Sequence, residues 1–275
     1  MKVIIAPTDF SSVSLNAVNY AADMATMLDA HLILFHVYAI PMAVHEVTVP
    51  GFDSEQLKLY ASARIDLLKH DLLVRTNKRI LIQTEVRSGE VLAGLTDFCA
   101  KIKPHAVVIG AETAPAFERF IFGGTTVAAV RKLQWPLIIV PPLVTFRNIR
   151  KIGLACDLKE VIESVRVDEL KELVNEFKAE LHVLHVSEEV GERFSPRTIE
   201  ESGLLQEMLD ELHPKYDFIN GADVEQGIID FAERNQLDLL IIVPKKHHLL
   251  RRIFSYSHSR QLVLHAEIPV MAIHE

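Results

Sequence analysis

Residues 106–140 of the chain read AVVIGAETAPAFERFIFGGTTVAAVRKLQWPLIIV. Two short runs rich in β-branched residues, 106–109 and 137–140, enclose a loop and a helix that is expected to begin near Thr125. Two fully apolar strands joined through a helix predict a right-handed parallel crossover in a sheet that is covered on both faces. The stretch therefore predicts an α/β fold.

The edge of this predicted sheet is a candidate anion site. Ligands of parallel sheets bind at the carboxyl ends of the strands, and Gly110 ends the first strand there. Gly123, Gly124, Thr125 and Thr126 lead into the helix, where unpaired N–H groups and the helix dipole favour anions. The alternative is that these glycines only allow a tight turn and close packing of helix on sheet.

Four sequence matches, in the same order along the chain, indicate an internal repeat. IGLACD at 152–157 corresponds to IIAPTD at 4–9, and LHV at 184–186 corresponds to FHV at 35–37. Residues 227–231 likewise match 94–98, and 268–270 match 135–137. We therefore predict two tandem Rossmann-like domains, 1–143 and 144–275, each a five-stranded parallel sheet flanked by helices.

Composition narrows the class of protein. With 275 residues, 49% of them hydrophobic, the chain can bury a large core, and its net charge of −8 argues against binding of nucleic acid. The two cysteines, Cys99 and Cys156, form no disulfide framework and no zinc motif. Because no signal peptide precedes the first strand and no apolar run approaches about 18 residues, we expect a cytoplasmic protein without a membrane partner.

The loop after the predicted strand at 106–109 has a recognisable spacing. Gly110, two residues, Thr113, nine residues and the pair Gly123-Gly124 follow one another. This resembles the nucleotide loop of the universal stress protein family, G-x2-G-x9-G-(S/T), and MKVIIAPTD at 1–9 and WPLIIV at 135–140 are also similar to that family. Thr113 stands where the pattern has glycine and Gly124 where it has Ser or Thr, so Thr125 would supply the hydroxyl one position later.

The resemblance implies domains like those of the adenine nucleotide alpha hydrolases, with ATP or another adenine nucleotide, with or without Mg²⁺, in the first half. The implied nucleotide-binding residues are Pro7, Thr8, Asp9, Val37, Gly110, Thr113, Gly123, Gly124, Thr125 and Thr126. The first four would surround the adenine and ribose, and the others the phosphates. Asp9 has an alternative interpretation as the N-cap of the following helix.

The second half departs from the nucleotide pattern. The positions of the pattern are aligned as follows: Pro244 with Gly110, His247 with Thr113, Ser257 with Gly123 and His258 with Gly124. An aspartate is retained, because Asp157 corresponds to Asp9. Without these glycines we expect no nucleotide in this half. The basic segment 245–252 is either a solvated loop or an anion site made by side chains, and the sequence leaves both open.

The histidines on the predicted strands give no metal site. His182 and His185 are an odd number of residues apart, as are His31 and His36, so the members of each pair point to opposite faces of the sheet. We therefore predict structural histidines and no metal ligands.

No P-loop, nucleophile elbow or H-E-x-x-H motif occurs, and we name no catalytic residue. We expect a regulatory stress-response module that binds an adenine nucleotide and an unknown protein partner. The alternatives are a nucleotide-independent interaction scaffold and, third, a slow ATPase. The resemblance further implies an intramolecular pseudo-dimer in which 137–140 faces 270–273, and it leaves a homodimer open.

Overall fold

The computed structural model describes residues 1–39, 54–111, 124–187, 196–221, 223–244 and 267–274. The first half contains strands β1 (Val3–Pro7), β2 (His31–Tyr38), β3 (Ile82–Ser88), β4 (Ala106–Gly110) and β5 (Leu137–Val140). Its helices are α1 (Ser12–Leu28), α2 (Ser54–Arg75), α3 (Val91–Ile102) and α4 (Gly124–Lys132).

The second half repeats this alternation. Its strands are β6 (Lys151–Ala155), β7 (Glu180–Ser187), β8 (Lys215–Asn220), β9 (Leu239–Ile242) and β10 (Val270–Ala272). Its helices are α5 (Val161–Ser164), α6 (Val167–Phe177), α7 (Pro196–Leu209) and α8 (Val224–Arg234), and a 3-10 turn follows α7 at Asp210–Leu212. The predicted α/β fold is confirmed.

All the strands of the described residues belong to one ten-stranded sheet, in the order β3-β2-β1-β4-β5-β10-β9-β6-β7-β8. The strands within each half are parallel, and the halves meet where β5 and β10 pair antiparallel. Ile138 lies opposite Met271 at the centre of this junction. The predicted pairing of the last strands is confirmed, and it makes the two five-stranded sheets continuous.

The hydrophobic core forms one layer on each face of the sheet. Alternate strand residues contribute to each layer, since Ile138 and Met271 pack in one and Ile139 and Val270 in the other. Both layers therefore cross the junction between the halves. The segment after β5 is held against α1, because Asn16 Nδ2 donates to the backbone oxygens of Pro141 at 3.2 Å and Val144 at 3.1 Å.

The start of α1 shows which residue caps this helix. The helix begins at Ser12, and Ser11 is its N-cap, accepting a hydrogen bond from Ser14 N at 3.2 Å. The interpretation of Asp9 as the N-cap is therefore wrong. Ser, Thr, Asp and Asn all serve as N-caps, so the sequence alone did not distinguish Asp9 from Ser11.

The described helices include none that is both long and apolar enough to cross a bilayer.

Candidate functional site

The described site residues of the first half gather at one edge of the sheet. Pro7 ends β1 and Asp9 lies two residues beyond it, Val37 lies near the end of β2, and Gly110 ends β4. Because these strands are parallel neighbours, their ends share the carboxyl edge. Pro7, Asp9, Val37 and Gly110 therefore lie along one edge of the sheet.

The remaining site residues are only partly described. Gly124 and Thr125 begin α4, and Thr126 Oγ1 donates to the backbone oxygen of Gly110 at 3.3 Å, which holds the first turn of α4 against the end of β4. Thr113 and Gly123 lie outside the described residues.

The turn between β1 and α1 is fixed by its own polar side chains. Thr8 Oγ1 accepts a hydrogen bond from Phe10 N at 2.9 Å and also bonds the Ser14 hydroxyl at 3.0 Å. His36 Nδ1 donates to the backbone oxygen of Thr8 at 2.7 Å. Phe10 adopts a φ of 65°, an unfavourable value for a bulky residue, so these bonds hold a strained turn in place.

Asp9 presents a carboxylate at this edge. Its Oδ1 accepts a hydrogen bond from Ser11 N at 2.9 Å, and the residue is exposed. Partial burial raises the pKa of Asp9, but hydrogen bonds from Ser11 and Ser14 lower it, and the net pKa is below its ordinary value. The edge therefore carries a fixed negative charge at neutral pH.

Gly110 has a packing role of its own. A Cβ at this position would lie 2.6 Å from both the backbone oxygen and the Cγ1 of Val13. The close-packing interpretation is therefore confirmed for Gly110, although the helix that requires it is α1 and not the helix after the loop. The sequence spacing located the glycine but did not show this contact.

We expect Gly110→Ala to lower the free energy of unfolding by about 1–3 kcal/mol, because the new methyl group meets the backbone of α1. Gly203→Ala is the matched control: no atom lies within 4 Å of its added Cβ, and it sits inside α7. The control should gain about 0.5–1 kcal/mol from helix propensity. Urea unfolding of both variants measures the difference, and equal effects would contradict the packing role.

The second half builds the same turn from different residues. Leu158 N donates to Cys156 Sγ at 3.4 Å, and Lys159 N donates to Asp157 Oδ1 at 3.2 Å. His185 Nδ1 donates to the backbone oxygen of Cys156 at 3.1 Å. Cys156 therefore takes the place of Thr8, and Asp157 that of Asp9, so the repeat extends to individual hydrogen bonds.

The two edges differ in what surrounds the aspartate. Asp157 is buried, whereas Asp9 is exposed. A small cavity lies beside Asp157. It is lined by Ser164, the last residue of the short helix α5, by Val165, which follows it, and by the buried Val243. Within the described residues, side chains therefore occupy most of the space beside Asp157.

Strand pairing corrects one alignment. Ile4 pairs with Ala106 in the first half, and Ile152 pairs with Leu239 in the second. In this register Val243, and not Pro244, is the counterpart of Gly110. The predicted alignment is wrong by one residue because a uniformly apolar run can shift by one position without changing its pattern.

Three of the four strand histidines hold structural hydrogen bonds, as predicted. His36 and His185 donate to backbone oxygens. His182 lies between two carboxylates, with Nδ1 2.8 Å from Asp217 Oδ2 and Nε2 2.6 Å from Glu180 Oε1. In the part of the chain that the structure describes, no group of three or more His, Cys, Asp or Glu side chains is arranged to hold a metal ion.

A cluster of three side chains beside the candidate site has no local signal in the sequence. The Arg64 guanidinium lies 4.2 Å from the centre of the Phe10 ring, and the Phe10 ring lies 4.6 Å from that of His36. This cluster ties α2 to the β1–α1 turn. Arg64 follows no local motif, so only the folded chain brings it to the turn.

Comparison with known proteins gives concordant results for both halves. The model of the Universal stress protein family matches residues 1–141 and again residues 148–274. A universal stress protein from Synechocystis sp. is 24% identical over 291 residues, which cover 98% of this chain and 99% of that protein. One from Methanocaldococcus jannaschii is 26% identical over 141 residues, 50% of this chain and 81% of that protein.

A solved structure shares the fold along the whole chain. The crystal structure of a universal stress protein from Archaeoglobus fulgidus superimposes with a TM-score of 0.72 at 16% identity. The superposition covers 99% of this chain and 96% of that one, so the tandem arrangement is common to both.

Proposed function

Since the family model matches both of its halves, this chain belongs to the universal stress protein family, and from that premise we propose that it is a regulatory stress-response module that binds an adenine nucleotide in its first half. The observation that carries the proposal is the contrast between the two sheet edges. The first has an exposed carboxylate, Asp9, and ends β4 with Gly110, whereas the second has buried Asp157 and Val243 at these positions. The second half, 144–275, is proposed to be structural.

The residues at the first edge suit the parts of a nucleotide. The ionised Asp9 is an acceptor for ribose hydroxyls, and Pro7 and Val37 offer half-buried apolar surface to a base. Backbone N–H groups around Gly124 would receive the phosphates at the N-terminus of α4. Mg²⁺, where present, would neutralise phosphate charge, and it is usually held by phosphates, water and one or two carboxylates rather than by an all-protein cage.

The rival function is a nucleotide-independent interaction scaffold. One observation favours it: Gly110 is already required by its contact with Val13, so this glycine does not need a ligand to explain it. A slow ATPase ranks third, because no described side chain beyond Asp9 is placed as a base at this edge. The division at residues 143 and 144 and the cytoplasmic location stay predictions from the sequence.

The experiment compares the two pseudo-equivalent aspartates. Freshly purified protein is denatured and its supernatant analysed for nucleotide, and ATP is then titrated into the wild type, Asp9→Asn and Asp157→Asn. We expect about one nucleotide per chain, and a loss of about tenfold or more in affinity for Asp9→Asn alone, because a hydrogen bond to a charged group is worth about 1.5–3 kcal/mol.

Other outcomes separate the rivals. No bound nucleotide together with no titration would overturn the proposal and favour the scaffold. Hydrolysis of ATP that rises with Mg²⁺ and disappears in Asp9→Asn would favour the ATPase. Gly123→Val, at a position outside the described residues, adds a test of the loop itself.

A further inference from the structure

Helix α2 exposes a line of large apolar side chains on the side that faces away from the sheet. Tyr60, Leu67 and Val74 recur every seven residues, and each is between 63% and 69% exposed. Ala63 and His70, both exposed, fill the intermediate positions. We call these five residues the α2 stripe. Over this spacing the stripe is about 21 Å long, since a helix rises about 1.5 Å per residue.

The stripe is separate from the face with which α2 packs on the sheet. Ala61, Ile65 and Leu72 form the buried face of the helix. The helix therefore has two apolar faces, of which only one is covered within the described part of the chain. An exposed apolar surface of this kind, repeating at the heptad spacing of packed helices, is typical of an interface.

The second half provides an internal comparison. Helix α7 has the same place in the order of elements as α2, between the second and third strands of its half. Its exposed positions are Pro196, Arg197, Ile199, Glu200, Gly203, Gln206 and Glu207. Only Ile199 among them is a large apolar residue, so the fold does not itself require a stripe.

We propose that the α2 stripe is the interface of a homodimer, in which α2 packs antiparallel against α2 of a second copy of this chain. The α2 stripe can pair with the same stripe of a second copy about a two-fold axis. This axis would pass near the middle of the stripe, between Leu67 and His70. The pairing buries the exposed apolar groups of both copies together.

The charges beside the stripe select the antiparallel orientation. Arg64 and Asp71 flank the same edge of the stripe, and an antiparallel pair brings the partner's Asp71 to the edge of the Arg64 guanidinium, whose face stacks on the Phe10 ring of its own chain. A parallel pair would instead place Asp66 against the partner's Asp71, and like charges in that position are unfavourable. The charges on α2 therefore disfavour a parallel pairing of the two helices.

The expected dimer is weak and reversible. A stable interface buries about 800 Å² on each partner, and one stripe on a 22-residue helix offers less than that. The fraction of dimer should therefore rise with protein concentration over the range used in sedimentation experiments. This dimer is independent of nucleotide, so its failure and the failure of the proposed nucleotide site are distinguishable.

Sedimentation equilibrium across a wide range of protein concentration tests the proposal. Leu67→Glu should raise the dissociation constant by about tenfold or more, because it brings a charge into the middle of the stripe. Ile199→Glu is the matched control, since it makes the same change at an exposed position of α7 and should leave the dimer intact. Thermal unfolding shows that both variants are folded.

A charge exchange tests the orientation. Asp71→Arg should weaken the dimer by facing the partner's Arg64, and the double variant Asp71→Arg with Arg64→Asp should restore it. Thermal unfolding of Arg64→Asp alone is the control for the loss of the contact between Arg64 and Phe10 within one chain. A chain that is monomeric at every concentration, a dimer that survives Leu67→Glu, or a double variant without recovery would each overturn the proposal.

Discussion

Glu176→Gln is expected to lower the free energy of unfolding by about 2–3 kcal/mol. The Glu176 side chain extends from α6 of the second half and contacts Lys2 Nζ of the first, and its Oε2 lies 3.0 Å from His105 Nε2. Its side chain is only 9% exposed. Removing one partner of a buried ion pair costs about 3–5 kcal/mol, and the partial exposure of Lys2 reduces that figure.

The measurement is urea unfolding above pH 6.5. Burial and the nearby Lys2 lower the pKa of His105 below 6.5 despite the opposing effect of Glu172, so the ring is neutral under these conditions. As pH falls below 6.5, the unfolded chain takes up this proton before the folded chain does, and stability declines in the wild type as well. Working above this range isolates the loss of the carboxylate charge.

Glu169→Gln is the control for Glu176→Gln, because it makes the same change on the same helix. Glu169 pairs only loosely with Arg166, at 3.8 Å and near the surface, so its loss should change stability by no more than about 0.5 kcal/mol. Equal effects of the two substitutions would show that the contact across the halves does not stabilise the fold.

The architecture was predictable from the sequence because its signals are local. Apolar runs such as 106–109 and 137–140 are short and rich in β-branched residues, which favours strands over helices. The repeated IIAPTD and IGLACD segments indicate the same order of elements in both halves. Errors arose where local patterns are degenerate. Asp9 and Ser11 are both residue types that cap helices, and only the folded helix, which starts at Ser12, shows that Ser11 is the cap.

The candidate site was predictable only in part. The order of the strands predicted that Asp9 and Gly110 lie at the same edge of the sheet. The close contact with Val13 that requires glycine at position 110 could not be predicted from the spacing of residues in the sequence. The cluster of Lys2, His105 and Glu176 could not be predicted from the sequence either. Its members are scattered along the sequence, and only the pairing of β5 with β10 brings the halves that carry them together.

Ile138→Ala is expected to lower the free energy of unfolding by about 2–5 kcal/mol, the range for truncating a buried isoleucine. Ile138 is fully buried and lies opposite Met271 in the strand pairing that joins the halves. Ile162→Ala on α5, where the side chain is 65% exposed, is the control and should have little effect.

The same substitution tests whether the halves unfold as one unit. Because both core layers cross the junction, we expect a single transition in the wild type and in Ile138→Ala. The only tryptophan, Trp135, lies just before β5, so its fluorescence reports the junction, while far-UV circular dichroism reports both halves. Coincident urea transitions by the two probes would support one cooperative sheet. Separate transitions would show that the junction between β5 and β10 opens before the rest of the protein.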